Sequence, residues 1–121
     1  MFKLCKGFKF EAAHRLPHHD GKCQRLHGHS WRGMIICEGE GLAEQGPQQG
    51  MLIDYGDMST AVEGLVEGKL DHYFLNDSLD MESPTSENIA EFCFFWLKPM
   101  LPLLKAVIIE ETCTSSCEFR P

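Results

Sequence analysis

The chain has 121 residues, six cysteines and a formal charge of −7, with no run of eighteen apolar residues. That length fits a single domain, residues 1–121, and the lack of such a run argues against a membrane-spanning helix. The acidity excludes a general nucleic-acid binder, because phosphate backbones need a basic face. The expectation is a cytoplasmic protein with no nucleic-acid or membrane partner, whose cysteines are thiols or ligands rather than disulfides. Enzymes this small often build their pockets between subunits, so an oligomer is expected.

Residues 4–16 read as a first strand. Phe8, Phe10, Ala12 and His14 alternate onto one apolar face. A polar loop, 17–26, carries His18, His19, Lys22, Cys23 and Arg25, and 27–38 read as a second strand. His27 and His29 flank Gly28 and leave the same face of it. A Gly- and Gln-rich loop covers 39–50, and 51–53 add a short extended piece. Asp57 is a predicted N-cap for a helix with Met58, Ala61, Val62, Leu65 and Val66 on one face, stopping near Gly68. A second helix is predicted to start at 83–85 with Pro84 in its first position. Its apolar stripe is Ile89, Phe92, Cys93 and Trp96, and Pro99 and Pro102 end it. Residues 106–112 are a buried-type strand, and 117–120 a last short one. The order ββααββ predicts an α+β fold, an antiparallel sheet with two helices on one face. Cys5, Cys37 and Cys93 read as small buried hydrophobes.

Three neutral imidazoles converging on one face suit zinc, and three protein ligands leave a fourth position open, as in catalytic sites. The bland alternative is a core His14 beside a chance His-x-His. Cys23, four residues before His27, is either a fourth ligand or a reactive thiol. Charge supports a site in this region: residues 1–32 hold seven of the eleven Lys and Arg but two of the eighteen acids. A small anionic ligand is therefore expected there. Glu111 ends a buried-type strand, where an acid is costly without a partner, while Glu110 alternates to the opposite face.

Phe-Glu-Ala-Ala-His-Arg-Leu (10–16), Cys23 ahead of His-Gly-His (27–29), Ile-Asp-Tyr (53–55), Leu-Asp-His with Leu-Asn (70–76), Pro-Thr-Ser-Glu-Asn (84–88) and Glu-Thr-Cys (111–113) occur in this order. Together they resemble the 6-pyruvoyl-tetrahydropterin synthase family over nearly the whole chain. The short gap from Cys23 to His27 and the tail 111–117 most resemble the branch that makes 6-carboxy-5,6,7,8-tetrahydropterin on the way to queuosine and related deazapurines.

The resemblance implies a tunnelling fold (T-fold) whose trimers close into a barrel and stack as a homohexamer with intersubunit sites. It implies one Zn2+ per subunit on His14, His27 and His29. The implied substrate is 7,8-dihydroneopterin triphosphate, cut to a carboxylate with loss of triphosphate and acetaldehyde. Cys23, Asp71 and His72 would be the proton-transfer set, with Asp71 and His72 coming from a neighbouring subunit. Glu111 would anchor the pterin.

A carboxylate accepting two ring donors suits the guanidine-like pterin edge. Thr85, Ser86 and Glu87 open a helix and could contact the ring, or could simply cap. Lys22 and Arg25, with His18 and His19, are candidates for the triphosphate. Asp71 is not expected to orient His72 merely by adjacency, so another acid is sought. The alternatives are pyruvoyl-forming activity on the same substrate, a three-histidine zinc hydrolase, and a metal-binding module closed by Cys23.

Overall fold

Two 13-residue strands, β1 (Phe2–His14) and β2 (His27–Gly39), come first and pair antiparallel along their full length. A computed structural model describes residues 1–121. One 3-10 turn, Lys22–Gln24, interrupts the loop between these strands. Helix α1 (Tyr55–Leu65) runs into a π-helical turn (Val66–Leu70), followed by the short α2 (Leu75–Ser78) and by α3 (Ser86–Leu97). Strands β3 (Leu104–Thr112) and β4 (Ser115–Phe119) complete a four-stranded sheet in the order β1-β2-β3-β4. This is the predicted α+β arrangement, with the π turn and α2 added between the two main helices.

Alternation decides which face is covered. Phe10, Ala12, Trp31, Ile35, Cys37, Val107 and Ile109 are buried on the helix side with Met58, Leu65, Ile89, Cys93 and Leu97. Burial holds the Cys37 thiol up at about 11 and that of Cys93 at about 12, so both stay inert. Cys5 differs from expectation. It alternates onto the open face of the sheet and is exposed.

Helix starts also differ in detail. Asp54, not Asp57, caps α1, its carboxylate accepting from Gly56 N at 2.7 Å. Thr85 caps α3 by accepting from Asn88 N, so Pro84 precedes the cap instead of opening the helix. The buried face of α3 is Ile89, Ala90, Cys93, Phe94 and Leu97, while Trp96 is exposed. The run 92–97 is apolar almost all round, so periodicity could not choose its inward face. Residues 51–53 form a bend, not a strand. No helix is long and apolar enough to cross a membrane.

Candidate metal centre and active site

Register places the histidines. In the β1–β2 ladder His14 lies opposite His27 and Ala12 opposite His29. Paired residues in an antiparallel ladder present side chains to the same face, so all three imidazoles gather at one end of the sheet. The small Ala12 leaves room for His29. The three rings contribute nitrogens that all lie within 4.8 Å of one another. Beneath them Trp31, fully buried and stacked on Phe10, meets the rings of His14 and His29 edge-on at 5.0 and 5.2 Å. Its indole N–H is satisfied by Ala12 O at 3.1 Å, so the floor of the centre is fixed.

The tautomers follow from the partners. His14 Nδ1 lies 2.8 Å from Pro84 O, and His27 Nδ1 lies 2.7 Å from Arg25 O. A carbonyl can only accept, so both Nδ1 atoms donate and each Nε2 turns a lone pair inward. Burial holds the basicity of both His14 and His29 down, outweighing the nearby Glu111 carboxylate for both. His14 Nε2 and His29 Nε2 are buried without a hydrogen-bond partner. Glu111 Oε1 stands 3.4 Å from the first and 3.6 Å from the second. The His14 lone pair thus faces a carboxylate oxygen, and His29 Nε2 beside it is likewise unpartnered. A cation satisfies all of them, so these residues fit a metal ion.

Glu111 follows Val107 and Ile109 onto the histidine face, at an irregularity in the ladder. Glu110 pairs with Ser116 and Thr112 with Ser115, so Glu111 is the extra residue of a β-bulge. Bulges re-aim a side chain, and here the bulge occurs beside the histidines. Glu110 lies across the ladder from Arg32, on the open face of the sheet.

The remaining predicted residues divide into two groups. Thr85, Ser86 and Glu87 sit at the start of α3, directly after the Pro84 carbonyl that holds His14. Thr85 is occupied as the cap, and Ser86 Oγ donates to Glu87 Oε1 at 2.9 Å. Cys23 lies half-buried on the 3-10 turn, outside the set of mutually close ligand atoms. Lys22 and Arg25 flank it and are exposed. His18 pairs with Glu82 at 2.9 Å, and His19 Nδ1 accepts from Gly21 N.

Asp71 and His72 lie elsewhere, on a segment that runs beside the outer edge of β1. Glu11 N donates to Asp71 Oδ1 at 2.9 Å, and Glu11 O accepts from His72 N. Asp71 does orient His72, contrary to the sequence expectation, with Oδ2 accepting from Nδ1 at 2.8 Å. The reason is backbone geometry: His72 adopts φ 65°, which folds its ring back over the preceding carboxylate. The left-handed conformation costs about 1–2 kcal/mol in a non-glycine residue. The Glu11 N–H and then His72 hold the Asp71 carboxyl below its ordinary range. With Nδ1 donating, His72 Nε2 has no hydrogen-bond partner, in an imidazole that is 80% exposed.

Comparison with known proteins identifies the family. The profile of the family described as 6-pyruvoyl tetrahydropterin synthase matches residues 3–121. A Synechocystis protein named 6-carboxy-5,6,7,8-tetrahydropterin synthase is 48% identical over 120 residues, covering 98% of this chain and 93% of the relative. A Haemophilus influenzae protein of the same name is 34% identical, covering 99% of each. The solved 6-pyruvoyl tetrahydropterin synthase of Caenorhabditis elegans superposes with a TM-score of 0.84 at 26% identity, covering 99% of this chain and 95% of that one. The chain therefore has the tunnelling fold and belongs to the 6-pyruvoyl tetrahydropterin synthase family, among relatives that are carboxytetrahydropterin-forming lyases.

Proposed function

We propose that this chain is a zinc-dependent 6-carboxy-5,6,7,8-tetrahydropterin synthase acting in the cytoplasm on the route to queuosine or a related deazapurine. Its substrate is 7,8-dihydroneopterin triphosphate. One water is consumed, and triphosphate and acetaldehyde leave. The observation that carries the reading is the pair of buried, partnerless Nε2 atoms of His14 and His29 converging with His27. The zinc ion supplies Lewis acidity, which makes hydroxyl and C–H protons of the substrate side chain easier to remove.

The chain's own residues divide the remaining work. His14, His27 and His29 hold the ion. Glu111, on the histidine face, accepts the paired donors of the pterin edge and fixes the ring beside the metal. Thr85, Ser86 and Glu87, which follow the Pro84 carbonyl that holds His14, border the same ring. Cys23 takes a proton from the side chain as a thiolate. His72 Nε2, with Asp71 holding the opposite nitrogen, receives and returns protons as a general acid/base. Moving protons from side-chain carbon to the ring reduces the dihydropterin while the side chain is oxidised, so no redox cofactor is required. Lys22 and Arg25 receive the triphosphate.

His72 points into solvent from the edge of its own sheet, which supports a site completed by a second copy. β1 and β4 are the edge strands of the sheet, and the segment 71–74 bonds the β1 edge at Glu11 and Ala13. The proposed assembly is a homohexamer of two trimers. The test is to incubate zinc-loaded protein with 7,8-dihydroneopterin triphosphate and identify the products by mass. 6-Carboxytetrahydropterin with acetaldehyde is expected. 6-Pyruvoyl-tetrahydropterin would move the chain to the sister activity, and no conversion would overturn the reading.

A further inference from the structure

Two asparagines occur in the motifs of this chain without a role in the chemistry above. Asn76 closes the Leu-Asn pair, and Asn88 ends Pro-Thr-Ser-Glu-Asn. Both converge on the strut behind His14. Asn76 Oδ1 accepts from Arg15 N at 3.0 Å, and its Nδ2 donates to Arg15 O at 2.9 Å and to Glu82 O at 3.0 Å. One amide therefore grips both backbone groups of the residue after His14. It also grips the carbonyl two residues before Pro84. Asn88 Nδ2 donates to the next carbonyl, Ser83 O, at 2.8 Å. The Pro84 carbonyl that follows is the acceptor of His14 Nδ1, across 70 residues of sequence.

The His18–Glu82 pair also joins these two segments, but through exposed side chains rather than backbone groups. His14 ends β1, where the ladder stops. Pro84 lies between α2 and α3, outside regular structure. The Asn76 tie across these two segments adds to the burial of His14 and its pairing with His27 in fixing the imidazole against its carbonyl. Outer partners of this sort set ring orientation and ligand basicity at metal centres.

We propose that Asn76 is a positioning residue of the metal centre. It clamps Arg15 to Glu82 so that the Pro84 carbonyl holds the His14 ring with Nε2 aimed inward, and Asn88 completes the clamp from α3. This rests on the metal reading above. A plain loop-fastening role would lower thermal stability but leave the centre of the folded protein unchanged.

The experiment compares wild type, Asn76→Ala, Asn88→Ala and Ser78→Ala. Zinc affinity is read by chelator competition and site geometry by the visible absorption of the Co(II)-loaded protein. Ser78 donates to Lys69 O at 2.6 Å on the same short helix but does not touch the clamp, so it serves as the matched control. Asn76→Ala is expected to bind zinc about 10–100-fold more weakly and to shift the Co(II) bands. Asn88→Ala should show the same change in smaller measure, and Ser78→Ala should match wild type. Wild-type affinity and spectrum in folded Asn76→Ala would overturn the proposal. If that variant does not fold, the same result in Asn88→Ala would overturn it. Failure of the wild type to bind zinc would instead sink the metal reading, so the two failures are distinguishable.

Discussion

The molecule presents two histidine assemblies built on opposite terms. His14 is fully buried, its Nδ1 is tied to a carbonyl 70 residues away, and two of the three imidazoles in its cluster lack partners at Nε2. His72 is 80% exposed and tied to the adjacent Asp71. Burial lowers the basicity of His14 and His29, which favours their ligating form. Exposure leaves the second set with water access and a free nitrogen, which suits proton traffic. The cluster gathers its ligands within one chain. The dyad is held on the backbone of Glu11, with the His72 ring exposed. The site proposed above takes the target of this dyad from a neighbouring copy.

Several variants would break or sharpen that contrast. His27→Ala has the largest expected effect, since it removes a ligand from the buried set. Zinc binding and turnover should both disappear, as measured by metal content and product mass; unchanged activity would sink the mechanism. His72→Ala should separate the two assemblies cleanly. Turnover should fall about 10²–10⁴-fold while one zinc per chain remains. Loss of zinc in that variant would merge what the structure keeps apart.

Glu111→Gln removes the charge from the bulged carboxylate. Pterin affinity should weaken by an amount typical of a bond to a charged group, about 1.5–3 kcal/mol, with the metal retained. Unaltered affinity in a calorimetric titration would remove Glu111 from the anchoring role.

The smallest effect concerns acid stability. Asp71 has a folded-state pKa below its ordinary 3.8, through the Glu11 N–H and then His72. A depressed carboxylate stabilises the fold above its unfolded value, and that contribution is lost as pH falls through the lower folded value. Asp71→Asn should therefore flatten the acid limb of the unfolding profile below about pH 4. A profile identical to wild type would mean that the dyad's mount contributes nothing to the fold.

Much of this could be read from residue order, for definite reasons. Strand alternation put His14, His27 and His29 on one face, because a two-residue period leaves no freedom once the strands are assigned. It also put Glu111 and Glu110 on opposite faces, although only the ladder reveals the bulge at Glu111. The orientation of His72 by Asp71 was not legible, since it depends on a left-handed φ that no side-chain pattern announces in a histidine. The role of the Pro84 carbonyl was hidden because every residue has a carbonyl. Asn76 acts across 61 residues through backbone atoms, which leaves no local signature. The inward face of α3 was misread at Trp96 because aromatic residues surround the helix there.

Whether the buried centre of one copy and the exposed dyad of another meet on one substrate is tested most directly by subunit mixing. His27→Ala and His72→Ala proteins, each inactive alone, are dissociated, combined, reassembled with zinc and assayed for 6-carboxytetrahydropterin. Mixed assemblies contain sites with an intact metal centre from one chain and an intact Asp71–His72 pair from the other, so activity should return. Continued inactivity in mixed assemblies that have bound zinc would contradict a shared site and confine each dyad to its own chain.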